Sequence, residues 1–386
     1  MKRYTVCGTA VPALFLAFLF AAVVCGCDFS GESMKAGTEK RESAKEHSVI
    51  IMTWNVQALF DGTETGNEYD EYREAAGWSR EKYAGRLNVI AKAVEGIEPE
   101  PPDIIAIQEI ESGQVLEDLA AALSKYGYAW THFAGNPEMS LGLGILSRLP
   151  LDAAKIHSIS ADGDTAPRPV LEARVSAGNE SLALFVCHWK SKLGGEDATE
   201  ANRRASARII LRRMRELAEE DPDLPVIIMG DLNENHDEFY RRNGAAISAL
   251  LPDDLRAAEL AGLYEADGND QNVLTGELWK DFLVLSKDKP PAARHFPSQV
   301  TALYSPWFQE LSNGSYYYRN EWETIDHFLL SKQLFNGVGW EFDNSAAAAY
   351  QPFTATGGYP AAYNPRTGSG LSDHLPLLLF LKCRER

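Results

Sequence analysis

Asn55, Glu109, His188, Asp231, Asn233 and Asp326 stand at the edges of short apolar runs, and Asp373-His374 immediately precedes another. Together they offer carboxylates, amides and two imidazoles. No serine or cysteine is placed among them as a nucleophile. Carboxylates and amides are the oxygen donors that Mg²⁺ prefers, and that ion keeps several of its waters. Hydrolysis by such a set requires an oriented, deprotonated water and a cation that offsets charge on the group attacked. An Asp–His pair can fix an imidazole tautomer and hold its charged form. The residue types are suited to metal-assisted hydrolysis with water as the nucleophile.

Residues this far apart meet only if the elements carrying them end at one rim. Apolar, β-branched runs predict strands over 49–54, 103–108, 143–147, 170–175, 182–187, 225–229, 325–331 and 375–382. Helical spacing predicts helices over 80–94, 112–126 and 198–220, the first behind a Ser79 cap and stopped by Pro99, Pro101 and Pro102. Helices do not follow every strand. The pattern suggests two packed sheets flanked by helices rather than a doubly wound sheet.

The 386 residues are 45% hydrophobic and 24% charged, which is ordinary globular composition and excludes a disordered chain or a multi-span membrane protein. Asp and Glu number 55 against 37 Lys and Arg, for a net charge of -18. Such a chain has no bulk attraction for phosphate backbones, which argues against a nonspecific DNA-coating protein. It leaves room for an enzyme that handles phosphate through bound cations.

Lys2 and Arg3 precede an apolar stretch that is short for a membrane span and ends Val24-Cys25-Gly26-Cys27. This end resembles a bacterial lipobox, which implies cleavage before Cys27, lipid on Cys27 and export to the cell envelope. A plain signal peptide and an uncleaved anchor are the other readings. The expected parts are a signal segment 1–26, a lipidated tether 27–48 and one domain 49–386. Cleavage removes two basic residues and no acidic one, which takes the net charge from -18 to -20. Cys187 and Cys383 are expected as two thiols without a bridge, since a strand rising about 3.3 Å per residue carries Cys383 away from His374.

Six segments, in order, resemble the endonuclease/exonuclease/phosphatase superfamily: Thr53-Trp54-Asn55, Ile107-Gln108-Glu109, Ile145-Leu146-Ser147-Arg148, Gly230-Asp231-Leu232-Asn233, Ile325-Asp326-His327 and Ser372-Asp373-His374. The resemblance spans about residues 49–384. It implies a four-layer α/β sandwich, with two mostly antiparallel sheets face to face and helices outside. It also implies hydrolysis of phosphate esters with Mg²⁺, or Mn²⁺ as a substitute. Carried over, Glu109 is the main metal ligand, Asn55 positions the metal or its water, and Asp373 completes the acidic cluster. Asp231 and Asn233 bind and orient the attacking water, His188 contacts phosphoryl oxygens, and Asp326 pairs with His374. Asp231 is assigned as the base, with His374 as the alternative. His327 is expected to pack rather than react.

His188-Trp189-Lys190-Ser191-Lys192 resembles a segment of secreted bacterial nucleases, although Cys187 replaces the Asn usual there. Lys190 and Lys192 are then substrate-binding charges, or else a solvated pair at a strand end. Arg148, Arg203 and Arg319 are further substrate-binding candidates. The aromatics of 316–318 either stack on bases or pack their own loop. The function expected is a lipid-anchored nuclease acting as a monomer on DNA or RNA. The alternatives are a sphingomyelinase-like or small-molecule phosphodiesterase, a phosphomonoesterase, and an inert binding lipoprotein.

Overall fold

The computed structural model describes residues 46–384 apart from 153, 160–167, 263–279, 310, 312 and 350. The expected signal segment, Cys27 and most of the tether lie outside the described residues. In chain order, β1 (Glu46–Leu59), α1 (Arg80–Glu95), β2 (Ile104–Ile110), α2 (Gly113–Ala122), β3 (Trp130–Ala134) and β4 (Gly142–Ser147) come first. Then follow β5 (Lys155–His157), β6 (Val170–Ala177), β7 (Glu180–His188), α3 (Glu196–Glu220), β8 (Val226–Asp231), α4 (Glu238–Arg241), β9 (Leu250–Pro252) and α5 (Leu255–Leu260). The last are β10 (Leu283–Ser286), β11 (Ala302–Tyr304), β12 (Tyr316–Tyr318), β13 (Glu321–Glu323), β14 (Asp326–Leu330), β15 (Trp340–Ala348) and β16 (Leu377–Arg384).

Two sheets carry the fold. One has six strands in the order β15-β16-β1-β2-β4-β3, and the other has eight in the order β5-β6-β7-β8-β14-β11-β10-β9. Alternate residues of each strand face opposite sides. Ile51, Ile104, Ala106 and Leu379 of the first sheet meet Leu184, Val186, Ile227 and Met229 of the second in a shared core. On the outer face of the six-stranded sheet, Met52, Trp54, Ile105 and Ile107 pack with Ile90 and Val94 of α1 and Val115, Leu116 and Leu119 of α2. On the outer face of the eight-stranded sheet, Phe185, Cys187 and Ile228 lie with Ile210, Met214 and Leu217 of α3. Helices, sheet, sheet and helix make four layers, the sandwich expected from the sequence. Cys187 lies under α3 and Cys383 in the layer between the sheets, so the two thiols occupy different cores.

Local chemistry explains the helix ends. Ser79 caps α1 by accepting from Lys82 N at 3.3 Å, and Ser112 caps α2 by accepting from Val115 N at 3.4 Å. The helix expected to run to Tyr126 stops at Ala122, and a separate 3₁₀ turn covers Ser124–Tyr126. β1 starts three residues before the expected domain boundary, because Glu46, His47 and Ser48 pair with Arg384, Cys383 and Lys382.

Strand direction decides what reaches the reactive rim. β1 and β2 are parallel, as are β7 and β8, and each pair is joined by a helical crossover, α1 or α3. Their carboxyl ends lie together. β14 and β16 run antiparallel to these pairs, so it is their beginnings that reach the same rim. β4 also runs antiparallel to β2, with Ser147 opposite Ile104. Its exit, and therefore Arg148, lies at the opposite rim.

Gly230 lets the central strands close. Its φ is 129°, a conformation that favours glycine. A Cβ there would stand 2.0 Å from the backbone oxygen of Cys187. Gly230→Ala is expected to destabilise the domain by roughly 3 kcal/mol or more. Gly66→Ala, at φ 101° with nothing within 4 Å of the added carbon, is expected to cost about 1 kcal/mol. Urea unfolding midpoints of the two variants check the contrast, and equal shifts would contradict it.

Candidate active site

The site begins with strand register. Asp231 is paired with His188 of β7 on one side and with Asp326 of β14 on the other. In the six-stranded sheet, Asn55 is paired with Gln108. Strict alternation would send the next residue, Glu109, to the outer face. Instead Glu109 adopts φ 66°, which breaks the alternation and turns its carboxylate toward Asn55. Gln57 and Ala58 are also left-handed, at φ 57° and 54°. Arg86, buried in α1, donates to the carbonyls of Val56, Gln57 and Ala58 and pins that bend.

One amide joins the two sheets. Asn55 Nδ2 donates to Glu109 Oε1 and to Asp231 Oδ2, both at 3.1 Å. Asn55 Oδ1 accepts from Gln57 N at 3.0 Å, and Glu109 Oε2 accepts from Ala58 N at 2.8 Å. His188 Nε2 lies 3.5 Å from Asp231 Oδ2 and 3.7 Å from Glu109 Oε1. Asn233 arrives through a turn rather than by alternation along the strand. Its φ is 53°, its N–H donates to Asp231 Oδ1 at 2.9 Å, and its Nδ2 donates to Trp189 O at 3.1 Å.

His374 Nδ1 lies 2.8 Å from Asp326 Oδ2, which also accepts from Ser315 Oγ at 2.6 Å. Backbone bonds hold the ring's strand: Trp54 Nε1 donates to His374 O at 3.1 Å, and His374 N donates to Ser372 Oγ at 3.0 Å. Ser372 Oγ in turn donates to Asn55 O at 2.6 Å. Glu109, His188, Asp231, Asn233, Asp373 and His374 all line one cleft of about 710 Å³. Asn55 and Asp326 stand behind them.

The two histidines differ in charge. Burial, reinforced by the positive charges of Arg168 and His374, pushes His188 well below the usual imidazole range, so it is neutral. Burial also opposes charge on His374, but the charge and hydrogen bond of Asp326, with Asp373 and Asp231, raise it well above that range. Burial and the charge of Asp326 bring Asp231 up to about 7 against the opposing pull of His374. Asp373 is raised by burial and by the charges of Glu109 and Asp326.

These groups fit a divalent cation. Asp231, Asp326 and His374 each present a ligand atom within 4.8 Å of the others. The His374 imidazolium and Asp326 are already engaged with each other, and a protonated ring does not ligate metal. The remaining oxygen donors are Glu109 and Asp231, bridged by Asn55, with Asp373 beside them. Two carboxylates sharing one amide donor, one of them with its acidity suppressed by burial, are short of positive charge.

Four basic residues expected at the substrate are used otherwise. Arg148, at the far rim, pairs with Asp103 Oδ1 at 3.3 Å and donates to Pro101 O. Arg203 is fully buried and bonds Glu234 at 2.8 Å, Glu200 at 2.7 Å and the carbonyls of Lys190 and Glu196. It staples the loop that follows His188 and does not line this cleft. Lys190 does not line the cleft either; its carbonyl serves Arg203. Lys192 lines the cleft, yet its Nζ is held by Glu238 Oε2 at 2.6 Å. Arg319 does line the cleft. Sequence reasoning missed Arg168, which also lines the cleft and donates through Nη1 to Trp189 O at 2.7 Å. It enters β6, an antiparallel neighbour of β7, so the start of its strand reaches the reactive rim. His327 packs as expected, with Nε2 2.8 Å from Glu234 O.

A family model described as the endonuclease/exonuclease/phosphatase family matches residues 50–244. The chain belongs to this family, whose members are metal-dependent hydrolases of phosphate esters. No curated protein matches the chain. Solved structures similar to it include truncated TDP2 from Caenorhabditis elegans, at 13% identity over 86% of this chain and 97% of that one, with a TM-score of 0.48. Sphingomyelinase C from Streptomyces griseocarneus matches at 13% identity over 86% and 99%, with a TM-score of 0.48. A family member from Bacteroides thetaiotaomicron matches at 16% over 88% and 97%, with a TM-score of 0.44.

The protonation pattern has a consequence for stability. Asp231 titrates near 7 when folded, and near about 3.9 when unfolded. Stability from this group is present at low pH and is lost as pH rises through the folded value. Asp231→Asn removes that loss. In chelator, the variant's thermal midpoint is expected to exceed that of the wild type by about 2–4 °C more at pH 8 than at pH 5. A gain independent of pH would refute the assignment.

Proposed function

We propose that this chain is a divalent-cation-dependent phosphodiesterase, a nuclease that cleaves DNA or RNA with activated water. The observation that carries the reading is the convergence of a neutral imidazole, an imidazolium and a carboxylate set in one cleft. Glu109, Asn55, Asp373 and Asp231 would hold Mg²⁺ or Mn²⁺. When bound, the cation polarises a phosphoryl oxygen and makes its water more acidic. Asn233 orients the attacking water and Asp231 takes its proton. The water oxygen forms the new bond to phosphorus as the bond to the leaving oxygen breaks. The imidazolium of His374, held by Asp326, donates to a phosphoryl oxygen, and His188 stands across from it. Arg168 offsets charge on the phosphate. The set is complete within one chain, so this reading requires no residue from a partner subunit. The intact set counts against an inert binding protein.

A lipid phosphodiester is the second reading. Leu193 lies at the cleft mouth between Lys192 and Gly194 and is 84% exposed, an apolar tip of the kind that meets lipid. The test is turnover of plasmid DNA, RNA, sphingomyelin and inositol phosphates by the full chain in detergent, with Mg²⁺, Mn²⁺ or chelator. Metal-dependent cleavage of nucleic acid is expected, and sphingomyelin cleavage without it would overturn the choice. Glu109→Ala and His374→Ala are each expected to cut turnover by roughly 10³-fold or more while the melting transition persists. Wild-type rates in either would refute the site.

We also propose that the protein is an exported bacterial lipoprotein held in the envelope membrane through Cys27. The charged, apolar and small-residue order of the leader supports this. Cys27→Ser is expected to abolish incorporation of labelled palmitate and release the protein from membranes. Unchanged labelling would reject the anchor.

A further inference from the structure

The β12–β13 hairpin leans on the reactive rim. Tyr316 forms an isolated antiparallel bridge with His374. Its ring lies against the His374 imidazole, with centroids 4.6 Å apart and planes at 32°. Tyr318 continues the series, 6.1 Å from Tyr316 at 23°. The Arg319 guanidinium lies 5.0 Å from the centre of the Tyr318 ring. Alternation turns the intervening Tyr317 the other way, onto Trp322 at 5.3 Å and Tyr359 at 4.2 Å. That second aromatic cluster backs the hairpin and fixes its position. Tyr316, Tyr318 and Arg319 line the catalytic cleft, and Tyr318 is 48% exposed. The series thus starts at the His374 imidazole and ends in an open aromatic face with a cation beside it.

We propose that Tyr318, with Arg319, is the stacking platform for the nucleobase next to the scissile phosphate. The substrate is accordingly a phosphodiester flanked by an unpaired base, as in single strands and short oligonucleotides. This rests on the nuclease reading above. Tyr318 lies two ring steps from His374, so a phosphate held at His374 brings its neighbouring nucleoside to the platform. Aromatic side chains accept any base, because every base has a π-face, and cations add to the contact. Inside a duplex both faces of a base are covered by its neighbours, which leaves nothing for Tyr318 to stack on. The electrostatics agree. The basic side chains lining the cleft are Arg168, Lys192 and Arg319, and Lys192 is held by Glu238. With a net charge of -18, the protein has little means of gripping a long duplex.

The experiment measures kcat and KM of the full chain with Mg²⁺ on a dinucleotide and on two analogues, each lacking one base. A single-stranded oligonucleotide and its duplex complete the panel. Tyr318→Ala is expected to raise KM for the dinucleotide about 10-fold, and Tyr318→Trp to keep the wild-type value. Removing one of the two bases is expected to raise the wild-type KM by a similar factor. The base deletion and Tyr318→Ala should not add, because they remove the same contact. The wild-type protein should prefer the single strand to the duplex, and Tyr318→Ala should narrow that preference. Additive effects, or no effect of Tyr318→Ala, would overturn the platform while leaving the nuclease reading intact. Cleavage of no strand by the wild-type protein would overturn both.

Discussion

The parallel pairing of β7 with β8 decides where the reactive groups of the eight-stranded sheet stand. Parallel neighbours need a crossover, and here that crossover is α3. The carboxyl ends of both strands then fall side by side, which puts His188 next to Asp231. β14 pairs with the other edge of β8 and runs the opposite way, so its first residue, Asp326, faces Asp231. The same arrangement in the other sheet, with α1 as the crossover, delivers Asn55 and Glu109. Close approach of the central strands depends on a residue without a side chain at position 230.

The site concentrates negative charge that the fold itself does not neutralise. Burying Asp231 and Asp373 costs free energy, and both are pushed toward their protonated forms. The Asp326–His374 pair is the counterweight, because it keeps one positive charge where burial alone would remove it. His188 has carboxylates only at 3.5 and 3.7 Å, farther than the 2.8 Å of the Asp326 bond, and burial keeps it neutral. Two residues of one type therefore play opposite parts, and the difference lies in what each ring nitrogen touches.

Much of this was legible in the sequence. Apolar β-branched runs marked the central strands, and the polar residues bounding them proved to be neighbours. Two of the exceptions, Arg148 and Arg168, share one cause, which is strand direction. Arg148 leaves β4 at the wrong rim because β4 is antiparallel to β2, while Arg168 sits at the right rim because β6 begins there. An inspection of strand exits finds the first and overlooks the second. Arg203 failed for another reason. In a helix laced with Arg and Glu, a buried arginine with acidic partners reads the same as a solvated one. The left-handed turn at Glu109 left no mark, since glutamate carries no preference for it. β15 was invisible because Ser345-Ala346-Ala347-Ala348 has no apolar alternation, and a bulge separates it from Phe342.

Asn55 has a mechanical consequence. Its single amide nitrogen holds a carboxylate from each sheet, and with the Asp326–His374 bond it ties the cleft across the seam between two layers whose shared interior is apolar. A close-packed core transmits a displacement instead of absorbing it, and hydrogen bonds of 3.1 Å weaken as their geometry shifts. Catalytic geometry is thus a gauge of sheet-to-sheet alignment. Loss of volume deep in the shared core, at Leu184 or Ile227 for example, reaches the cleft as a misalignment of its two halves. Activity then fades before either sheet comes apart.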